Sequence, residues 1–278
     1  MNTTQLTKLA HAKPPGFAKI MRDSAILWGR HLRHLVRSPG RFVGITTSPL
    51  VILLAMGYLF RESIVVQESD NYVDYLMAGV AAQVGLASIG PTAIGVSLDF
   101  RGRIVDRFVS LPISRASILL GRTAADFTVA CGALLIITLT SAGLGWSPHS
   151  SLASTVAGFG FLLAFIYVML WIGIVLGLWL KNAETIDATA AMILVATSFL
   201  SSSYVSVSSL PGWAQPIADW NPVSAIVSSI RSLWGNGNLV SDTWAGHNQP
   251  MIALVWLVGF LAVLVPLATW RFGVVAKE

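Results

Sequence analysis

The sequence predicts an all-helical (all-α), polytopic membrane protein with about six transmembrane helices, and three observations carry that prediction. Hydrophobic residues make up 54% of the 278 residues and charged residues only 11%, whereas soluble domains carry about 25% charged residues. Several apolar runs reach about 20 residues, the length that a helix needs to cross a bilayer. The lysines and arginines cluster in alternate connections between these runs, which is typical of multi-pass membrane proteins.

Six apolar runs are predicted to span the membrane, and they divide the chain into three parts. The runs are residues 42–60, 72–98, 124–144, 152–180, 186–205 and 250–270. We expect a transmembrane domain over residues 42–270, preceded by a tail and an amphipathic helix in residues 1–41 and followed by a short tail, residues 271–278. The amphipathic helix, residues 17–38, pairs a basic face with an apolar face that bears Trp28, a pattern typical of helices at the membrane surface.

Residues 206–249 are too interrupted to cross the bilayer. The interruptions are Pro211, Gly212, Pro216 and Pro222. Two short helices, about 213–219 and 223–233, fit this pattern better, because proline begins a helix easily and breaks one in its interior. They predict an outer re-entrant or interfacial hairpin over about 210–234, which requires protein around its backbone. The tryptophans expected at the membrane boundary are Trp213, Trp220, Trp234 and Trp244.

A dense charged segment separates the second and third runs. Its charged residues are Asp99, Arg101, Arg103, Asp106, Arg107, Arg115 and Arg122. Apolar residues recur among them at three- and four-residue spacing, which predicts a short amphipathic helix that Pro112 ends. Such a helix on the basic side of a membrane can dock a cytoplasmic partner or lie at the lipid headgroups, and the residues alone leave both readings open.

The distribution of basic residues predicts the orientation of the chain. If the N-terminus is cytoplasmic, nearly all lysines and arginines fall on the cytoplasmic side, and the outer connections hold only Arg61 and Arg231. This positive-inside bias predicts a multi-pass protein of the cell (plasma) membrane with both termini in the cytoplasm. It also explains the pI of about 9.7 without a nucleic-acid partner.

The sequence argues against several kinds of chemistry in this chain. The predicted spans hold almost no charge at mid-membrane, which counts against a proton- or sodium-coupled carrier. The five histidines form no catalytic or metal-ligand pattern, and the lone Cys131 supports neither a disulfide nor a zinc site. No GxxxxGK[ST] loop occurs, so ATP-driven transport would need a separate polypeptide. We therefore expect no enzyme activity, no metal and no cofactor in this chain.

Two segments carry a family resemblance. Residues 102–115, GRIVDRFVSLPISR, followed by LLGR at 119–122, resemble the signature of ABC-2 type transporter permeases, in particular the daunorubicin/doxorubicin-resistance permease group of drug exporters. Residues 199–213 with DWNP at 219–222 resemble the outer re-entrant hairpin of that group. Asp106 stands where many members of the superfamily have a glutamate, so the negative charge is kept.

The resemblance implies a transport subunit that works with other chains. Two copies of the permease would pair as a homodimer, and two copies of a separate ABC ATPase, which binds ATP and Mg, would sit beneath them in a 2+2 assembly. Residues of about 100–111 would form the coupling helix, and the first, second and fifth spans would line the route. The ATPase-coupling residues implied are Phe100, Arg103, Asp106, Arg107, Phe108, Leu111 and Arg115. The outer-gate residues implied are Pro211, Trp213, Trp220, Asn221 and Pro222.

Several readings of the function remain open at this point. The resemblance favours ATP-driven export of an amphipathic small molecule such as an antibiotic or drug. The same fold could move a lipid or a lipid-linked glycan. An ion-coupled carrier, a membrane enzyme and a scaffold that binds a partner through the charged segment are the other classes. For Trp213 and Trp220, anchoring at the interface with membrane lipid is as good an interpretation as a gate.

Overall fold

The computed structural model describes residues 21–29, 31, 40–59, 71–101, 115–180, 182–237 and 243–275. Across these ranges the secondary structure is helical, with no strand. In chain order the helices are α1 (21–29), α2 (Gly40–Leu54), α3 (Tyr72–Arg101), α4 (Arg115–Gly143), α5 (Leu152–Trp179), α6 (Ala183–Phe199), α7 (Gln215–Trp220), α8 (Pro222–Trp234), α9 (Trp244–His247) and α10 (Gln249–Val275). A π-helical stretch, Ala55–Leu59, continues α2.

Five of the described helices are long and apolar enough to cross a membrane. They are α2 with its π-helical stretch, α3, α4, α5 and α10. The remaining predicted span, 186–205, corresponds to α6, whose 17 residues make a helix about 25 Å long. The third span begins near Ser117 rather than at residue 124, because Arg122, which suggested a polar connection, is buried inside the bundle.

Helix α3 is the centre of the bundle. It contacts α2, α4, α5, α6 and α8 and is buried over most of its length. Glycines on α5 allow the two helix backbones to approach closely. A Cβ on Gly173 would lie 2.7 Å from the carbonyl oxygen of Ile89, and a Cβ on Gly177 would collide with that of Ala93. Small residues at such positions are the usual means of close helix packing in membranes.

The bundle has two chemically different ends. At the first, which we call the arginine end, α2 and α4 begin and α3 ends, and this end contains Arg41, Asp99 and Arg122. At the opposite end, which we call the hairpin end, α3 begins and the turn between α4 and α5 contacts the end of α8. Residues 145–151 form that turn, as the hydrogen bond from the His149 amide to the Trp234 carbonyl shows.

The two short helices expected at 213–219 and 223–233 are present as α7 and α8. They meet at Asn221, whose side chain accepts a hydrogen bond from the Val223 amide at 2.8 Å and so caps α8. The same side chain donates to the carbonyls of Thr197 (3.0 Å) and Leu200 (2.7 Å). Asn221 therefore ties the start of α8 to the end of α6.

Candidate functional site: the two ends of the bundle

The arginine end contains the last turn of α3 and the first turn of α4, the two helix ends that flank the predicted coupling segment and that we call its stems. Phe100 lies in the last turn of α3, and Arg115 is the first residue of α4. The other residues predicted to contact an ATPase lie outside the described residues: Arg103, Asp106, Arg107, Phe108 and Leu111. The described structure therefore bears on this site through the helices that flank residues 102–114.

Four charged side chains join these flanking helices, and we call them the ion-pair cluster: Arg41 of α2, Asp99 of α3, and Arg122 and Asp126 of α4. Arg122 pairs with Asp99 across the two stems, and its Nε lies 3.6 Å from the Oδ2 of Asp126 one turn along α4. Arg41 reaches the other oxygen of Asp126 at 3.7 Å. Two positive and two negative charges thus balance where three helices meet.

Gly95 of α3 makes room for the ion-pair cluster. A Cβ at this position would collide with the terminal nitrogens of both Arg41 and Arg122. The two guanidinium groups therefore pack directly on the α3 backbone. Arg122 and Asp126 are buried, whereas Arg41 and Asp99 keep a little under a third of their side-chain surface exposed. Gly95 lets two large charged groups enter a space that any larger residue would fill.

Helix α1 packs against the same end of α4. The Ser24 hydroxyl donates to the carbonyl of Ser117 at 3.4 Å, and the Trp28 indole donates to the Thr128 hydroxyl at 3.1 Å. Leu27 is buried against Gly121, where a Cβ would lie 2.7 Å from that of Leu27. The described part of the expected amphipathic helix is thus fixed to α4, the helix that follows the charged segment.

At the hairpin end, the residues predicted to form a gate have two kinds of environment. Pro211, Trp213 and Trp220 are exposed, and Trp220 stacks on Trp244 with ring centroids 6.1 Å apart. Asn221 is buried in the capping contacts described above. Pro222 is the first residue of α8, where its missing N–H costs no hydrogen bond. The five residues lie on one continuous stretch, with the aromatic surfaces outside and the polar anchor inside.

Arg231 fixes α8 to the rest of the bundle. Its Nε donates to the carbonyl of Tyr75 and its Nη2 to the carbonyl of Ser203, each at 2.9 Å. The guanidinium carbon lies 3.5 Å from the centroid of the Tyr75 ring, a cation–π contact. Burial lowers the pKa of Arg231, but an arginine keeps its proton under all ordinary conditions. A buried cation therefore joins the hairpin to α3.

The turn between α4 and α5 holds the far end of α8. The His149 amide donates to the Trp234 carbonyl at 2.8 Å, and the Ser150 hydroxyl donates to the Leu233 carbonyl at 2.6 Å. The buried Trp234 ring packs edge-on against Trp146 at 5.2 Å between centroids. On the other side of the turn, the Ser147 amide donates to Asp74 at 3.0 Å. The turn is thus part of the hairpin's support.

Sequence reasoning missed the buried charges. The predicted spans were expected to hold almost no charge at mid-membrane, and Arg231 was counted as one of two outer basic residues, whereas Arg231, Asp126 and Asp74 are all buried. Each has at least one partner far along the chain: Arg41 for Asp126, Ser147 for Asp74, and Tyr75, 156 residues away, for Arg231. The available signal was an arginine and aspartates inside otherwise apolar helices, since charged residues in membrane segments are rare and usually paired. Among the described residues, no group of His, Cys, Asp and Glu could hold a metal ion.

Comparisons with known proteins agree with this architecture. The family model for ABC-2 type transporters matches residues 23–234. The chain is 26% identical over 241 residues to the daunorubicin resistance ABC transporter permease protein DrrB1 of Streptomyces coeruleorubidus, covering 87% of this chain and 82% of that one. It is 26% identical over 287 residues to the probable doxorubicin resistance ABC transporter permease protein DrrC of Mycobacterium tuberculosis, covering 96% and 95%.

A further relative at lower identity is also described as a transport permease. The putative transport permease ycf38 of Porphyra purpurea is 24% identical over 226 residues, covering 78% of this chain and 76% of that one. The family match spans most of the chain and includes α2 to α8, the charged segment and both ends of the bundle. With its apolar spanning helices, the chain therefore belongs to the ABC-2 type transporter family, as a multi-pass membrane permease component of an ABC exporter.

Proposed function

We propose that this chain exports an amphipathic small molecule such as an antibiotic, as one half of a permease dimer driven by a separate ABC ATPase. The observation that carries the proposal is the similarity to two drug-resistance permeases over 87% and 96% of the chain. The proposed orientation puts both termini in the cytoplasm at the plasma membrane, supported by the positive-inside distribution of lysine and arginine. The arginine end is then cytoplasmic and the hairpin end faces outward.

The charged segment is the proposed contact with the ATPase. In this proposal Phe108 and Leu111 pack in a groove of the ATPase, while Arg103, Asp106 and Arg107 make polar contacts, flanked by Phe100 and Arg115. The chain carries no P-loop sequence, so the partner would bind ATP and Mg. Closure of two ATPases around ATP would then move the segment and the helices attached to it.

The proposed route lies between two permease copies. Helices α2 and α6 leave apolar faces exposed, including Val51 and Leu54 on α2 and Met192 and Val195 on α6. Such a lining suits a weakly polar cargo. The second span was also expected to line the route, and α3 is buried within its own chain apart from a partly exposed stripe near the arginine end. That stripe consists of Ala87, Pro91, Ile94 and Leu98.

The hairpin formed by α7 and α8 is the proposed outer gate. In the orientation above, it enters the bilayer from outside and returns, and protein surrounds its polar groups. The proposed gate residues are Pro211, Trp213, Trp220, Asn221 and Pro222. The exposed tryptophans would meet the cargo, while Asn221 would hold the turn in place.

Co-purification and ATPase assays test this function. The chain is isolated from its native membrane in mild detergent, and an ABC ATPase is expected in equimolar amount. In vesicles, daunorubicin should stimulate ATP hydrolysis by the complex. Asp106→Arg should abolish that stimulation while membrane insertion stays normal, and Asp106→Glu, which keeps the charge, is the matched control.

The outcomes distinguish the competing functions. If the chain is isolated alone under conditions that preserve other complexes, ATP coupling is wrong and gradient-driven transport becomes the better hypothesis. Stimulation by phospholipid but not by daunorubicin would identify a lipid as the cargo. Normal efflux by Asp106→Arg would contradict the assignment of the coupling segment.

A further inference from the structure

The ion-pair cluster lies directly beside the charged segment 102–114 in the chain. Asp99 lies three residues before the segment 102–114, and Arg122 lies eight residues after it. The ion pair between Asp99 and Arg122 therefore joins α3 to α4 next to that segment. Through Asp126 and Arg41, the same cluster reaches α2. A displacement of the segment that moved α3 relative to α4 would have to stretch or rearrange these pairs.

We propose that Arg122, held between Asp99 and Asp126, is a positioning residue that passes movement of the segment 102–114 to α2. The proposal rests on the proposed function, because it assumes that an ATPase moves that segment. Helix α2 exposes one of the two faces assigned to the cargo route. The cluster would therefore connect the site of ATPase contact with a wall of the route.

Charge balance makes the cluster move as a unit. Arg122 and Asp126 are buried, and a buried charge that loses its partner is strongly unfavourable. If α3 carried Asp99 away, Arg122 would follow it or exchange it for Asp126, and Arg41 would be displaced in turn. When the helices move, the four charges are therefore expected to exchange partners together, because the loss of a single pair would leave a buried charge unpaired.

Both ion-pair contacts of Asp126 are longer than a hydrogen bond. The Nε of Arg122 and the Oδ2 of Asp126 are buried atoms without a hydrogen-bond partner among the described residues, and they lie 3.6 Å apart. The contact between Arg41 and Asp126 is 3.7 Å. Both distances suit an ion pair but exceed the usual 2.7–3.2 Å of a hydrogen bond. Closing the gap between Arg41 and Asp126 would draw α2 towards α4, whereas the contact between Arg122 and Asp126 lies within α4.

Gly95→Ala tests the cluster without changing a charge. The added methyl group would displace the ends of Arg41 and Arg122, which are flexible, while leaving the backbone in place. Gly44→Ala on α2 is the matched control, because a Cβ there meets nothing within 4 Å. Asp99→Asn and Arg122→Gln complete the set. Each is purified as the complex with its ATPase and assayed in vesicles with daunorubicin.

The expected result is a loss of coupling with an intact complex. Gly95→Ala, Asp99→Asn and Arg122→Gln should lower the ratio of daunorubicin-stimulated to basal ATP hydrolysis by about two- to thirtyfold, the range seen for residues that couple distant sites. Thermal stability and the amount of bound ATPase should stay near the level of Gly44→Ala in Gly95→Ala, which removes no charge, whereas Asp99→Asn and Arg122→Gln should lose some stability because each leaves a buried charge with fewer partners. If Arg122→Gln fails to accumulate, Gly95→Ala decides the question.

Other outcomes overturn the proposal in recognisable ways. If Asp106→Arg uncouples the complex but Gly95→Ala and Asp99→Asn do not, the ion-pair cluster has no part in coupling although the proposed function stands. If Gly95→Ala loses stability or ATPase binding in proportion to its loss of stimulation, the cluster is only structural. If no ATPase accompanies the unmodified chain, the proposed function itself fails.

Discussion

Replacing Arg231 with methionine should release α8 from the bundle, where so short a helix unfolds readily, while the spanning helices stay folded. Methionine keeps much of the length and apolar surface of the arginine stem but removes both donors. The carbonyls of Tyr75 and Ser203 would each lose a hydrogen bond of 2.9 Å from a charged group. The change therefore acts on the contact between α8 and α3 rather than on the helix propensity of α8.

The size of the effect follows from those two bonds. Hydrogen bonds to charged groups contribute about 1.5–3 kcal/mol each when buried, so the lower end of that range gives a loss of about 3 kcal/mol. Since about 1.4 kcal/mol corresponds to a factor of ten, the population of undocked α8 should rise by roughly 150-fold. In Arg231→Lys the population of undocked α8 should lie between those of the unmodified protein and Arg231→Met, because an ammonium group cannot reproduce the planar fork of donors.

Hydrogen–deuterium exchange of the detergent-solubilised protein measures this population directly. Backbone amides of residues 222–234 should exchange much faster in Arg231→Met, while those in the middle of α5 should be unchanged. Ser232→Ala is the control, because Ser232 is exposed on the same helix. An acceleration below about threefold in residues 222–234 would refute the view that Arg231 holds the hairpin.

Three further predictions concern positions on the same side of the bundle. Gly79→Ala should destabilise the protein by more than about 2 kcal/mol, because its Cβ would collide with the backbone of Ser203, and a lower melting temperature of the purified protein is the measurement. Asn221→Ala should cost about 1–2 kcal/mol through the lost helix cap, visible as faster amide exchange at the start of α8. Trp234→Ala, which empties a buried site, should lower the melting temperature strongly. Trp213 is exposed, so Trp213→Ala should leave the melting temperature nearly unchanged and reduce daunorubicin-stimulated hydrolysis more than basal hydrolysis. Equal effects on the two rates would indicate that Trp213 anchors the protein at the membrane interface.

The local breaks in this fold were predictable from sequence, because they depend on single residues. Prolines and a glycine exclude a continuous helix over 206–249, and Asn221 followed by Pro222 is a strong signal for a new helix start. The two short helices accordingly lie within two residues of their expected bounds. The apolar runs likewise located five spanning helices, since bilayer thickness sets a length that is easy to recognise.

The burial and pairing of charged residues between helices could not be predicted in the same way. Arg122 suggested a solvated connection, and the third span was therefore expected to begin at residue 124, but pairing with Asp99 and Asp126 allows Arg122 to sit inside a helix. Gly95 gave no signal at all, because its role depends on two arginines that reach it from other helices. Such contacts arise only when three helices are brought together, and helical periodicity within one segment does not contain that information.

The turn between α4 and α5 has a practical consequence for work on this protein. A short connection between two spanning helices is the usual place to insert an epitope tag or a fluorescent label, since exposed turns generally tolerate extra residues. Here residues 145–151 hold Trp234, Leu233 and Asp74 through backbone and side-chain hydrogen bonds. A tag inserted in that turn would pull on the hairpin itself, so a silent labelling site has to be chosen among residues that hold no neighbouring helix.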